Sequence, residues 1–228
     1  MKDLTQKNII IDSNAMSCCL MLNRIEWGLK LKRRVIITVG KTHSGKTTFA
    51  RELEQQLKNS IVIDQDNHAE FINTYYKSLR PVQGSNTFKY ILTNTIVDYA
   101  IQKTDLHLIL CNSNRNRIGR AELLSYFHNR GFESILVFFD LPDAILQDRV
   151  SNNQRSKTIF RTASSFTEVL NRQIAESQNE NISDPEEGEA NYLFIIKESN
   201  QVQSVIQKII NVFGYACYKG DRYERIDD

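Results

Sequence analysis

Apolar positions along the chain fall into two repeating patterns. The first consists of short, nearly continuous runs rich in β-branched residues: "VIITV" (35–39), "IVID" (61–64), "LHLILC" (106–111), "ILVFFD" (135–140) and "YLFIIK" (192–197). All five read as strands, and the near-continuous "VIITV" suits one covered on both faces. The second pattern has a helical period. "TTFARELEQQL" puts Phe49, Ala50, Leu53 and Leu57 on one stripe, and "QVQSVIQKIINVF" does the same with Val202, Val205, Ile206, Ile209 and Phe213. Two further helices are predicted between strands. "RIGRAELLSYFHNRGF" is stopped by Gly131, and "PDAILQDRV" starts with Pro142 in its first turn. Strands alternating with helices imply an α/β fold with a five-stranded parallel sheet and helices on both faces.

Two stretches interrupt this rhythm. Residues 67–104 exceed a simple crossover and carry Phe71, Tyr75, Tyr76, Phe88 and Tyr90. Residues 151–190 are rich in Asn, Ser, Arg and Glu, end in "SDPEEGEA" and are expected to form a lid and polar loop. Long loops in a compact domain are usually functional. The expected organisation is an extension over 1–32, one domain over 33–213 and a tail over 214–228.

Composition changes this picture little. The chain has 228 residues, 41% apolar and 25% charged, with a formal net charge of +2. That balance fits an ordinary globule and disfavours a nucleic-acid partner. Cys18, Cys19, Cys111 and Cys217 lack paired metal spacing and read as free thiols in a reducing cytoplasm. No apolar run reaches the ~18 residues of a membrane span. "NIIIDSNAMSCCLML" is broken by Asp12, Ser13 and Asn14 and makes a poor secretory leader.

Chemistry concentrates in "VIITVGKTHSGKTTFAREL" (35–53), where residues 40–47 fit G-x-x-x-x-G-K-[ST], the Walker A phosphate loop. Gly40 and Gly45 let successive N–H groups curl round one anion, and the helix N-terminus adds partial positive charge. Ser44, Gly45, Lys46, Thr47 and Thr48 would line the phosphates. Lys46 would neutralise the β- and γ-phosphates, and the Thr47 hydroxyl would face Mg²⁺. Lys41 and His43 read as variable loop positions.

The rest of the chain decides between hydrolysis and transfer. No N-K-x-D guanine-reading motif occurs, which argues against a GTPase switch. The third strand ends in Cys111 and Asn112, where an ATPase would place a metal-holding acid, and Asp105 stands at the wrong end. The second strand does end in acid, with Asp64 and Asp66 at the edge where parallel sheets bind ligands. Asp66 suits a general base for an attacking hydroxyl. Asp64 suits either contact with Mg²⁺ or capping of the next helix. Past the fourth strand, Arg149, Arg155 and Arg161 could reach a triphosphate with their rigid donor forks.

On "GKTHSGKTTFAREL", "VIDQDN", "NSNRNRIGRAELL", "ILVFFDLPDAILQDRV" and "NNQR", the chain resembles small P-loop kinases grouped around zeta toxins and polynucleotide 5′-hydroxyl kinases, over about residues 33–212. The resemblance implies sheet order 2-3-1-4-5, ATP with Mg²⁺, a lid carrying arginines and Asp66 as base. It also implies Arg149 against the adenine and phosphates and Arg155 on the γ-phosphate. Asn114 and Arg117 fall where such proteins read D-x-T-N followed by basic residues. Two departures stand out: Cys111 replaces the acid of that segment, and Ala69 replaces the arginine that polynucleotide kinases carry three residues after the base. The leading expectation is a kinase that phosphorylates a hydroxyl of a small metabolite, nucleotide or nucleotide sugar. The alternatives are a nucleotide-binding regulatory module without phosphotransfer and a polynucleotide kinase.

Overall fold

A computed structural model describes residues 32–84 and 86–218, with side chains as far as Phe213. The expected extension over 1–32 and tail over 214–228 therefore fall almost wholly outside the described side chains, as do Cys18, Cys19 and Cys217.

The five apolar runs form β1 (Arg34–Gly40), β2 (Ser60–Asp64), β3 (His107–Cys111), β4 (Glu133–Phe139) and β5 (Tyr192–Ile196). They make one parallel sheet in the order β2-β3-β1-β4-β5. Period-2 alternation divides the strand residues between two cores. Ile36, Ile109 and Ile135 face one side, packed with Phe49, Leu53, Leu146, Leu170 and Ile206. Those helical residues come from α1 (Lys46–Gln56), α5 (Asp143–Ser151), α6 (Phe166–Glu176) and α7 (Val202–Tyr218). Val35, Ile37, Leu108 and Leu136 face the other side, against Val97, Ala100, Leu124 and Phe127. These belong to α3 (Thr87–Lys103) and α4 (Arg117–His128). Each buried Ile, Leu or Phe contributes roughly 1.5–3 kcal/mol, so the central strands anchor the domain.

Both interrupting stretches carry more structure than expected. The 67–104 insert is mostly helical: α2 (Gln65–Tyr75), a 3₁₀ turn (Lys77–Leu79) and α3. The polar 151–190 stretch is not one loop, because it contains α6. Ser165 caps that helix, its Oγ accepting the Glu168 N–H at 3.2 Å, and Phe166 and Leu170 are buried beneath it. Pro142 also sits one residue earlier than expected, as the N-cap of α5.

One buried ion pair fastens the chain before β5 to the domain. Arg120 of α4 is almost fully enclosed and holds Glu189 with two nitrogens, at 2.7 and 2.8 Å. The same guanidinium donates to the carbonyls of Asn114 and Ser183. A buried charge tolerates its surroundings only when paired and hydrogen-bonded this completely.

Candidate active site

A cleft of about 1060 Å³ opens over the C-terminal ends of β1, β2 and β3. The phosphate loop forms its floor. Gly40 has φ of +149°, and a Cβ there would sit 3.0 Å from both Cβ and the carbonyl oxygen of Phe139. Only glycine fits this crossing of β1 and β4. The Gly40 N–H donates to the Ser113 carbonyl at 2.9 Å, so Gly40 supplies the turn rather than a free donor. Gly45, at φ +99°, caps α1 and leaves the N-terminus of that helix facing the cleft.

Lys46 folds back over the loop. Its Nζ donates to the Lys41 carbonyl at 2.5 Å and the buried Ser44 Oγ at 3.1 Å. Burial pushes its pKa down to about 8, against the raising influence of the Asp66 and Asp64 carboxylates. Thr47 and Thr48 line the cleft beside it. Two loop residues expected to be incidental are engaged. Lys41 pairs with Asp143 at 2.6 Å. His43, at φ 59°, contacts Thr42 Oγ1 through Nδ1 at 3.0 Å and packs edge-on against Phe166, with ring centroids 4.7 Å apart.

Asp64 performs the capping role, its Oδ1 accepting the Asp66 N–H at 2.9 Å. Its Oδ2 also accepts from the Thr47 hydroxyl at 3.1 Å, which brings two hard oxygens together before the phosphate loop. Mg²⁺ takes oxygen ligands, usually one or two carboxylates with waters and substrate phosphates, so Thr47 and Asp64 fit it. Cys111 does not fit: burial, then Asp64, push its thiol up to about 11 and keep it neutral. Its Sγ lies 3.6 Å from Thr47 Oγ1.

Helix α5 and the lid, residues 151–190, bring the arginines in. Arg149 on α5 donates to the His43 carbonyl at 2.9 Å and to Ser199 Oγ at 2.6 Å. Arg155 reaches across 89 residues of sequence to Asp66 Oδ2 at 2.8 Å. Arg161 donates to the carbonyls of Pro81 and Gly84, joining the lid to the insert. Lys46, Asp66, Arg149 and Arg155 thus share one cleft. Arg117 is exposed at the start of α4, and Asn114 Nδ2 donates to the Thr38 carbonyl at 2.9 Å, bracing β1. His68 Nδ1 meets Thr93 Oγ1 at 2.8 Å, between α2 and α3. Three contributors were not foreseen. Gln173 of α6 accepts the Thr42 N–H at 2.7 Å, Phe166 supports His43, and Lys89 of α3 lines the cleft. The Ser165–Glu168 spacing would have revealed α6 and with it the first two. Nothing local marked Lys89.

A family model described as an AAA domain matches residues 35–179, a span that runs from β1 through α6. The chain belongs to this AAA-domain family. This AAA-domain chain also shares its fold with solved kinases and with a further nucleotide-bound protein. APS kinase of Mycobacterium tuberculosis, bound to AMPPNP and APS, is 14% identical with a TM-score of 0.54, covering 80% of this chain and 98% of that one. A gluconokinase of Sinorhizobium meliloti is 12% identical with a TM-score of 0.51, covering 82% and 94%. Kti12 of Chaetomium thermophilum, in complex with ADP-AlF3, is 17% identical with a TM-score of 0.53, covering 78% and 98%. At these identities the likeness establishes the fold. No curated protein sequence matches the chain significantly. Among the described residues of this AAA-domain chain, no helix is long and apolar enough to cross a membrane.

Proposed function

We propose that the chain is an ATP-dependent phosphotransferase that moves the γ-phosphoryl group to a hydroxyl of a second substrate. The observation that carries this reading is the Asp66 carboxylate, which lines the same cleft as Lys46 and is touched by a lid arginine at 2.8 Å. A phosphate loop alone holds a triphosphate. An acid beside it, at the carboxyl edge of β2, gives a hydroxyl somewhere to lose its proton.

In this mechanism Asp66 takes the proton as the acceptor oxygen bonds to the γ-phosphorus. The bond from that phosphorus to the ADP oxygen breaks, and ADP leaves with the electron pair. Lys46, Arg149 and Arg155 neutralise charge on the transferring group. Gly45, Thr47 and Thr48 receive the phosphates with the helix N-terminus behind them. Thr47 and Asp64 would hold Mg²⁺, which when bound offsets the negative charge of the β- and γ-phosphates. Residues 33–213 carry the whole unit, in a reducing cytoplasmic setting. The resemblance to zeta-toxin-like kinases would give Asp66, Arg149 and Arg155 these roles. A polynucleotide acceptor fits less well, because Ala69 is small and buried where those kinases carry an arginine.

Incubating the chain with γ-labelled ATP and a panel of metabolites, nucleotides, nucleotide sugars and oligonucleotides tests the reading. Label should enter one acceptor class and vanish in Asp66→Asn. A second reading, a nucleotide-binding regulatory module, is favoured by one feature: the neutral Cys111 thiol against Thr47, where a hydrolase would hold an acid. It would be supported by tight nucleotide binding with no labelled acceptor.

A further inference from the structure

The cleft holds cations that its own acids do not neutralise. Six Lys or Arg side chains line it: Lys46, Lys89, Arg149, Arg155, Arg161 and Arg172. Only Asp64, Asp66 and Glu176 oppose them. Lys46 and Arg149 are engaged with the phosphate loop, Arg155 with Asp66 and Arg172 with Glu176 at 3.6 Å. Lys89 and Arg161 remain.

Lys89 sits in the first turn of α3, half-buried. Its ammonium lies 5.2 Å from the Tyr90 ring centroid and has no carboxylate partner among the described residues. Arg161 spends its donors on two backbone carbonyls, which leave its charge uncompensated. One residue comes from the insert and the other from the lid, and both line the cleft that contains Asp66. A half-buried ammonium facing a polar cavity without a salt-bridge partner is costly, and a bound anion would supply the missing charge.

We infer that Lys89 and Arg161 read an anionic group on the acceptor, a phosphate, sulfate or carboxylate, whose hydroxyl is presented to Asp66. This rests on the phosphotransfer reading and narrows its substrate class from any alcohol to anionic ones. Arg161 brings a flat donor fork and Lys89 a mobile point charge, a combination suited to a tetrahedral or planar oxyanion. Burial lowers the pKa of Lys89 more than Asp66 and Asp64 raise it, and a bound anion would reverse that balance. The nucleotide does not need these two cations, because Lys46, Arg149 and Arg155 already face its phosphates in the proposed mechanism.

The test uses the full chain saturated with AMPPNP, which occupies the nucleotide half without turnover. Inorganic phosphate, sulfate, acetate and glycerol are then titrated by calorimetry. At least one anion should bind saturably and glycerol should not; the ranking of tetrahedral ions against acetate separates a phosphate or sulfate ester from a carboxylate. Lys89→Met should weaken that binding at least tenfold, Lys89→Arg should restore most of it, and AMPPNP affinity should hold. Arg161→Met should act in the same direction. No anion binding to the AMPPNP-loaded chain overturns the inference. So does Lys89→Met weakening AMPPNP as much as the anion, which would assign the lysine to the nucleotide. The labelled-acceptor panel keeps the two readings apart. Transfer to neutral alcohols alone would sink this inference and leave the kinase reading standing. Anion binding without any transfer would overturn the kinase reading, and with it the assignment of the anion to an acceptor, leaving only an anion site at Lys89 and Arg161.

Discussion

Replacing Asp66 with asparagine separates the two things its carboxylate does. Asp66 Oδ2 holds Arg155 at 2.8 Å, with the two side chains 40% and 35% exposed. An ion pair this solvated stabilises by about 0.5–1 kcal/mol. In the proposed mechanism Arg155 leaves Asp66 to serve the γ-phosphate of ATP, so that energy would oppose nucleotide binding. Asp66→Asn removes the opposition and a nearby negative charge together. AMPPNP should therefore bind about 2–5-fold more tightly, the affinity equivalent of that energy. Transfer should fall about 10²–10⁴-fold through loss of the base. Arg155→Met should instead weaken AMPPNP, because charged hydrogen bonds contribute about 1.5–3 kcal/mol each. In the Arg155→Met background the gain from Asp66→Asn should disappear. Calorimetric titration of the four proteins with AMPPNP reads the binding side without any acceptor. The reasoning is refuted if Asp66→Asn weakens AMPPNP binding, or if its gain survives without Arg155.

Three further outcomes follow from the fold. Gly40→Ala places a methyl 3.0 Å from Phe139, at a φ of +149°; unfolding by urea should show a loss of about 1–3 kcal/mol, and AMPPNP binding should fall with it. Arg120→Met leaves the partly exposed Glu189 without its partner, whereas Glu189→Gln leaves the enclosed Arg120 charge uncompensated; each should cost about 3–5 kcal/mol, and the same urea assay measures both. His107 is buried, accepts the Arg34 N–H at 3.1 Å and has its pKa lowered from 6.5 to about 4, first by burial and then by Arg34. The unfolded chain thus takes up this proton before the folded one does. Stability should fall as pH drops from 6.5 to about 4, by about 3 kcal/mol in all, and level off below. His107→Asn should flatten that part of the pH–stability curve.

The sheet was legible because strands buried on both faces cannot alternate in polarity, so "VIITV" and "ILVFFD" announce themselves without context. The phosphate loop was legible because its chemistry fixes residue spacing within one turn. What escaped was of two kinds. Helix α6 was hidden by its surroundings: Phe166 and Leu170 are two core residues in a long polar stretch, and only the Ser165 cap marks their helix. Lys89 and the Arg155–Asp66 pair were hidden by distance. Such contacts form only when the insert and lid fold over the sheet, and nothing within a few residues of Lys89 foretells where its ammonium goes. The expectation for Asp64 was open between metal contact and capping. Its two oxygens turn out to be divided, one on the Asp66 N–H and one on the Thr47 hydroxyl.

The lid is fastened at both ends of the cleft. Gln173 of α6 occupies the Thr42 N–H on the nucleotide side, while Asn73 Nδ2 donates to the Thr158 and Phe160 carbonyls and Arg161 grips the insert on the other. A segment tied at two points does not release one without loosening the other. Whatever free energy the first ligand spends on detaching its end is then not charged again to the second. On the phosphotransfer reading the two substrates would then be heterotropic effectors of one another, and by linkage each would raise the affinity of its partner by the same factor.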